Sequence, residues 1–129
     1  MLMEIKTHLA VNNSLCGKVV SLSDGAATVV LETTQEMLAD NNGLVHGGFI
    51  FGAADYAAMV AVNDPYVVLG SADVKFTAPV RAGNSVTLEA RVVESKNKKR
   101  IVSVEGKLAE ITVLSGLLTC IVLEKSILD

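Results

Sequence analysis

The chain has 129 residues, half of them hydrophobic, and its 14 acidic and 11 basic side chains leave a formal charge of −3. That length suits one domain over 1–129, able to bury roughly two-thirds of its unfolded surface, and so apolar a composition excludes disorder. The acidic balance argues against nucleic acid as a general partner, because such binders carry a basic footprint.

From Met1 to Lys6 there is no charged region followed by an apolar core, so no signal peptide is read and a cytoplasmic protein is expected. Residues 2–11 are ambiguous: Leu2, Ile5, Leu9 and Val11 fit a short helix that becomes extended. Lys18–Ser23 and Ala26–Glu32 are rich in β-branched residues, and Asp24-Gly25 between them signals a two-residue hairpin turn. Thr33-Thr34-Gln35-Glu36 has the pattern of a cap and first turn of a short helix through Ala39. Asp40-Asn41-Asn42-Gly43 is turn chemistry leading into the central stretch.

From Phe49 to Val62 the only charged side chain is Asp55, and the apolar positions neither alternate nor keep to one stripe. Such a segment predicts a helix enclosed on every side. It falls short of the roughly 18 apolar residues of a membrane span, so no membrane partner is expected. The helix ends at Asn63-Asp64-Pro65, because a residue before proline avoids the α region. Strands follow over Tyr66–Thr77, Ser85–Ser95, Arg100–Ala109 and Ile111–Leu123, with Val93 breaking the alternation of the second. Gly106 and Gly116 mark bulges or close backbone approach. Cys16 and Cys120 are too few and too isolated for a disulfide framework or a zinc site, and read as buried free thiols. A helix this apolar is enclosed only if a curved sheet wraps it and something else closes its open side.

Asp55 is the sharpest candidate for chemistry. Burying a carboxylate without a partner costs several kcal/mol, and the positions three and four residues away are Phe51, Gly52, Ala58 and Met59, none of them cationic. A charge kept at that cost marks a functional candidate. Gly47 and Gly48 place free N–H groups at a helix N-terminus, where a carbonyl oxygen can be held as it gains negative charge. His46 has no Ser or Cys beside it and is expected to orient the Gly47 peptide; His8 has no motif around it and reads as incidental. Phe49, Phe51, Tyr56 and Met59 have the spacing of core residues more than of a pocket.

His46-Gly47-Gly48, then Phe51 and Ala54-Asp55, with Asp nine residues after His, resembles the hotdog-fold acyl-CoA thioesterases of the phenylacetate-pathway (PaaI-like) group. Phe76-Thr77-Ala78-Pro79-Val80 and Arg81-Ala82-Gly83-Asn84 share the likeness, which runs from about Leu15 to Leu123. The resemblance implies an α+β hotdog fold, an antiparallel curved sheet around one central apolar helix. It implies hydrolysis of an acyl- or aryl-CoA, with Asp55 as nucleophile or general base and Gly47 as oxyanion donor. It implies no metal and no cofactor beyond the coenzyme A of the substrate, and a homo-oligomer, dimer or tetramer. The rival readings are a non-catalytic acyl-CoA or acyl-carrier-protein binding module and a hydratase or dehydratase on the same fold. One departure is Asp40, where related enzymes often carry Asn. Lys96, Lys98, Lys99 and Arg100 read as a solvated hairpin tip or as attraction for coenzyme A phosphates, and Lys75 and Arg81 are further phosphate candidates. Gly48 and Asp55 are seven residues apart, about 10 Å along a helix, so a site using both is expected to draw on two chains.

Overall fold

In the computed structural model, which describes residues 3–129, the elements are α1 (Asn13–Cys16), β1 (Lys18–Ser23), β2 (Ala26–Glu32), α2 (Gly47–Val62), β3 (Val67–Phe76), β4 (Ser85–Lys96), β5 (Lys99–Leu108) and β6 (Ile111–Val122). The six strands form one antiparallel sheet in the order β1-β2-β4-β5-β6-β3. The sheet curls around α2, whose Ala53, Ala54, Ala57, Ala58 and Ala61 are all essentially inaccessible. Short side chains on the helix let Val29, Leu31, Leu88, Val102 and Leu118 of the strands close onto it. Each such buried aliphatic side chain stabilises the fold by about 1.5–3 kcal/mol. This is the hotdog architecture that the resemblance implied. Among the described residues, no helix is long and apolar enough to cross a membrane.

The strands lie within one residue of their expected ends. Val93 breaks the alternation because the β4–β5 register shifts between Val92 and Glu94, a bulge that turns Val93 outward. Gly106 sits at a second register shift. Gly116 lies opposite Val74 of β3, and a Cβ there would press on the Asp73 carbonyl oxygen and the Val74 backbone. Both glycines therefore serve the roles expected of them.

Two local expectations need correction. No helix forms over residues 3–11, and Leu2 lies outside the described residues. The backbone there is recruited by a distant side chain instead: Lys6 N–H donates to Asn63 Oδ1 (2.8 Å), and Asn63 Nδ2 donates to the Glu4 carbonyl (2.9 Å). The short helix is α1, where the Asn12 side chain accepts from Ser14 N–H. The helix expected through Ala39 is only a 3-10 turn over Gln35–Met37, because Leu38 is extended and bridges Val45. As expected of a single sheet, one side of α2 is left open. Gly48 is exposed, while Phe51, Gly52 and Asp55 are half-buried, and these positions form one stripe. A single sheet covers only the opposite face. The edge of β3 is also unpaired.

Candidate active site

At the head of α2, His46 is extended and its backbone is fully engaged. Its N–H donates to the Met37 carbonyl (2.8 Å) and its carbonyl accepts from Phe49 N–H (3.0 Å). Between them the amides of Gly47 and Gly48 have no acceptor among the described residues. Two free donors at the positive end of a 16-residue helix form a ready site for a developing negative charge. The exposed His46 ring caps nothing; it stands edge-on to Phe49 and over Gly48. The contacts of His46 at the helix head are thus made by its backbone.

Beside Gly47 opens an apolar recess of about 390 Å³, walled by Leu44, Ile50, Phe76, Pro79 and Val113. A second recess of about 330 Å³ shares Leu44, Pro79 and Val80 and adds Arg81 and Asn42. Asp40 does not enter either one. Its Oδ1 accepts from Asn42 N–H (2.8 Å) and Leu44 N–H (3.2 Å), so it folds the loop that delivers α2. Arg81 donates from Nη1 to the Asn42 carbonyl (3.0 Å) and braces the same loop.

Asp55 lies two turns further along α2, and the first recess does not include it. Its Oδ1 is buried and has no hydrogen-bond partner among the described residues. Burial raises its pKa above the ordinary carboxylate value, against which the charge of His8 works in the opposite direction. His8 is lowered by its own burial, with Asp55 opposing. Burial and the Asp55 charge also push the Cys16 thiol up, and Cys120 to about 12. Cys120 is buried as expected, whereas Cys16 is only half-buried.

The remaining candidates separate along the molecule. Lys75, on β3 next to Phe76, and Arg81 lie at the Gly47 end of α2. Lys98, Lys99 and Arg100 belong to the β4–β5 hairpin at the other end, where Arg100 lines a recess with Ala61 and Val62. Tyr56 and Met59 are core, and Phe49 and Phe51 are half-buried. His8, read as incidental, lines a separate recess of about 330 Å³ with Ile5, Leu9, Asn13, Lys18 and Tyr56, and its Nδ1 lies 2.8 Å from Thr7 Oγ1. No local pattern marks it, since its placement depends on the Asn63 side chain 57 residues from Lys6.

A family model described as the thioesterase superfamily matches residues 42–115. The methylthioribose-1-phosphate isomerase of Aquifex aeolicus is 53% identical over 114 residues, which are 88% of this chain and 25% of that protein. The transcription factor FapR of Bacillus subtilis is 30% identical over 107 residues, 81% of this chain and 57% of the relative. The chain thus spans about a quarter of the first relative and little more than half of the second. Among solved structures, the uncharacterized protein PH1136 of Pyrococcus horikoshii is similar with a TM-score of 0.98 at 49% identity, covering 100% of this chain and 99% of that one. A mutant of the phenylacetic acid degradation protein PaaI of Thermus thermophilus is similar with a TM-score of 0.79 at 29% identity, covering 86% and 96%.

Proposed function

Because the chain belongs to the thioesterase superfamily, we propose that it hydrolyses the thioester of an acyl- or aryl-coenzyme A to the free acid and coenzyme A. The observation that carries this reading is the buried, unpartnered Oδ1 of Asp55 on an otherwise apolar helix face. A carboxylate left without a donor is costly unless it meets a group that the fold itself does not supply. The thioester carbonyl would rest on the free amides of Gly47 and Gly48. Those donors stabilise the oxygen as charge builds on it, each worth about 2.7–4 kcal/mol in such sites. Asp55 attacks the carbonyl carbon or takes a proton from the water that does. The C–S bond then breaks, and the thiolate leaves and is protonated; where Asp55 itself has attacked, water then hydrolyses the acyl–Asp55 anhydride, releasing the acid and restoring the carboxylate.

Gly47 and Asp55 are eight residues apart, about 12 Å along the axis, while a reacting carbonyl must lie about 3 Å from both its donor and its attacking group. The proposed unit is therefore an isologous dimer, in which a second α2 runs antiparallel over the open Gly48–Gly52–Asp55 stripe. In that arrangement the far end of the second α2 extends about 10 Å beyond Gly47. It carries its Lys98–Arg100 hairpin toward the end where Lys75 and Arg81 lie, and these cations are the proposed contacts for coenzyme A phosphates.

Likeness to a transcription factor favours a second reading, a module that binds acyl-CoA or acyl-carrier protein without turnover. Thiol release from a panel of short, long and aryl acyl-CoAs decides between them. Release supports the thioesterase; saturable binding without release supports the sensor.

A further inference from the structure

We propose that the recess between the N-terminal segment and Tyr56 of α2 is a second binding site, for a small carboxylate that carries a short hydrocarbon tail. It shares no residue with the two recesses at the Gly47 end of α2. Its volume of about 330 Å³ suits a small ligand.

Contacts between distant segments build this recess. Asn63, at the C-terminal end of α2, accepts from Lys6 N–H through Oδ1 (2.8 Å) and donates to the Glu4 carbonyl through Nδ2 (2.9 Å). The stretch that carries Ile5, His8 and Leu9 is thereby tied to the helix. On the other side, Asn13 Nδ2 donates to the Gly17 carbonyl (2.9 Å), which fixes α1 against the start of β1, where Lys18 and Val19 follow. Tyr56, only 6% exposed, lines the recess from the core.

The polar groups gathered here are mainly donors without acceptors. The Tyr56 hydroxyl has one contact, with Asn13 Nδ2 at 3.5 Å, in which its oxygen accepts; its own proton has no acceptor among the described residues. A hydroxyl so withdrawn from water is costly to leave unpaired. Lys18 has no carboxylate partner, since Lys107 with Glu105 is the only ion pair among the described residues. Thr7 Oγ1, 2.8 Å from His8 Nδ1, occupies that ring nitrogen and leaves Nε2 for whatever enters. When the Thr7 hydroxyl donates to Nδ1, Nε2 carries the proton and donates in turn.

No acidic side chain lines the recess. Lys18, Tyr56 and His8 together call for an anion, while Ile5, Leu9 and Val19 beside them call for hydrocarbon. Leu9 is 76% exposed, and a bound tail would cover it. A carboxylate offers about four acceptor positions, enough for all three donors. Inorganic phosphate shares the donor chemistry but leaves the apolar side chains uncovered, so the carboxylate with a tail is the better match. The site does not depend on the thioesterase reading.

The test titrates hexanoate, hexan-1-ol and inorganic phosphate separately into the protein. Calorimetry gives the affinity, and NMR of the His8 ring and of the Gly47 and Gly48 amides gives the location. Tyr56→Phe keeps the ring and removes only the hydroxyl, and Lys18→Gln changes an exposed side chain. Hexanoate should bind saturably and shift the His8 ring, with hexan-1-ol weaker by about tenfold or more. Tyr56→Phe should raise the hexanoate Kd about tenfold. Lys18→Gln should raise it about threefold and flatten its dependence on salt. Absence of saturable hexanoate binding, or an unchanged Kd in a folded Tyr56→Phe variant, overturns the proposal. Shifts confined to the Gly47 and Gly48 amides also overturn it, because hexanoate then occupies the proposed active site instead. Phosphate binding as tightly as hexanoate overturns the assignment to a carboxylate with a tail.

Discussion

Gly47 and Asp55 share one helix, and their separation of eight positions sets a residue whose amide has no acceptor among the described residues about 12 Å along the axis from one whose carboxylate oxygen has no partner there. Each lacks what the other could help supply to a substrate, yet one thioester cannot touch both in a single chain. The open stripe of α2 runs between them. In the proposed dimer, a second copy laid antiparallel on that stripe would cover exposed surface and complete the site in the same step.

Asp55→Asn is expected to keep the fold and to lose thiol release by at least about a hundredfold, the scale of a missing nucleophile or base. Its stability should also change with pH in a defined direction. Burial raises the Asp55 pKa from its ordinary 3.8, so between that value and the folded one the native state holds more protons than the unfolded state. Stability is therefore lost as pH rises through that window. Asn has no such loss. Thermal melts should show the variant at least as stable as wild type above the window, with the advantage vanishing below it; an advantage greatest at low pH would contradict the assignment.

Gly47→Pro removes one of the free donors while preserving the helix. Proline suits the first helical position, and the preceding residue, His46, already has the extended geometry (φ −64, ψ 128) that a following proline requires. A Cβ at Gly47 meets only the Phe76 ring at 3.4 Å, an ordinary contact. The expected result is an unchanged circular dichroism spectrum with turnover reduced by about a hundredfold or more. Wild-type turnover would place the carbonyl elsewhere.

Gly116→Ala tests the packing of the edge strand. Its new methyl presses on the backbone of Asp73 and Val74, which cannot yield as a flexible side chain would. Urea unfolding should report a loss of roughly 1–3 kcal/mol. Stability equal to wild type would mean that β3 does not run this close to β6.

Cys120 should resist thiol reagents in the native protein. It is fully buried and its pKa is pushed to about 12, so almost no thiolate exists at pH 8. Mass spectrometry after iodoacetamide should find Cys120 unmodified until denaturant is added, and Cys16, half-buried with its thiol also raised, modified more slowly than a free thiol.

Much of this was legible in the sequence, because the elements that matter follow strong local rules. β-Branched residues and a turn signal marked the first two strands, alternation marked β4 with its exception at Val93 proving to be a bulge, and the one carboxylate in an apolar run is the one with an orphaned oxygen among the described residues. What escaped depends on contacts between distant segments. The segment over residues 3–11 is shaped by Asn63 rather than by its own periodicity, so His8 carried no sign of its place in the recess beside Tyr56. Asp40 belongs to the same class: its role in folding the 40–44 loop is set by which backbone amides reach it.

The most direct test of the shared site mixes Asp55→Asn chains with Gly47→Pro chains, each inactive alone, after unfolding and refolding them together in equal amounts. Half of the dimers are then mixed, and each mixed dimer holds one site with both defects and one with neither. Recovery of about a quarter of wild-type thiol release is the expected result. No recovery, with mass spectrometry confirming that mixed dimers formed, would place donor and carboxylate on one chain and contradict the two-chain site.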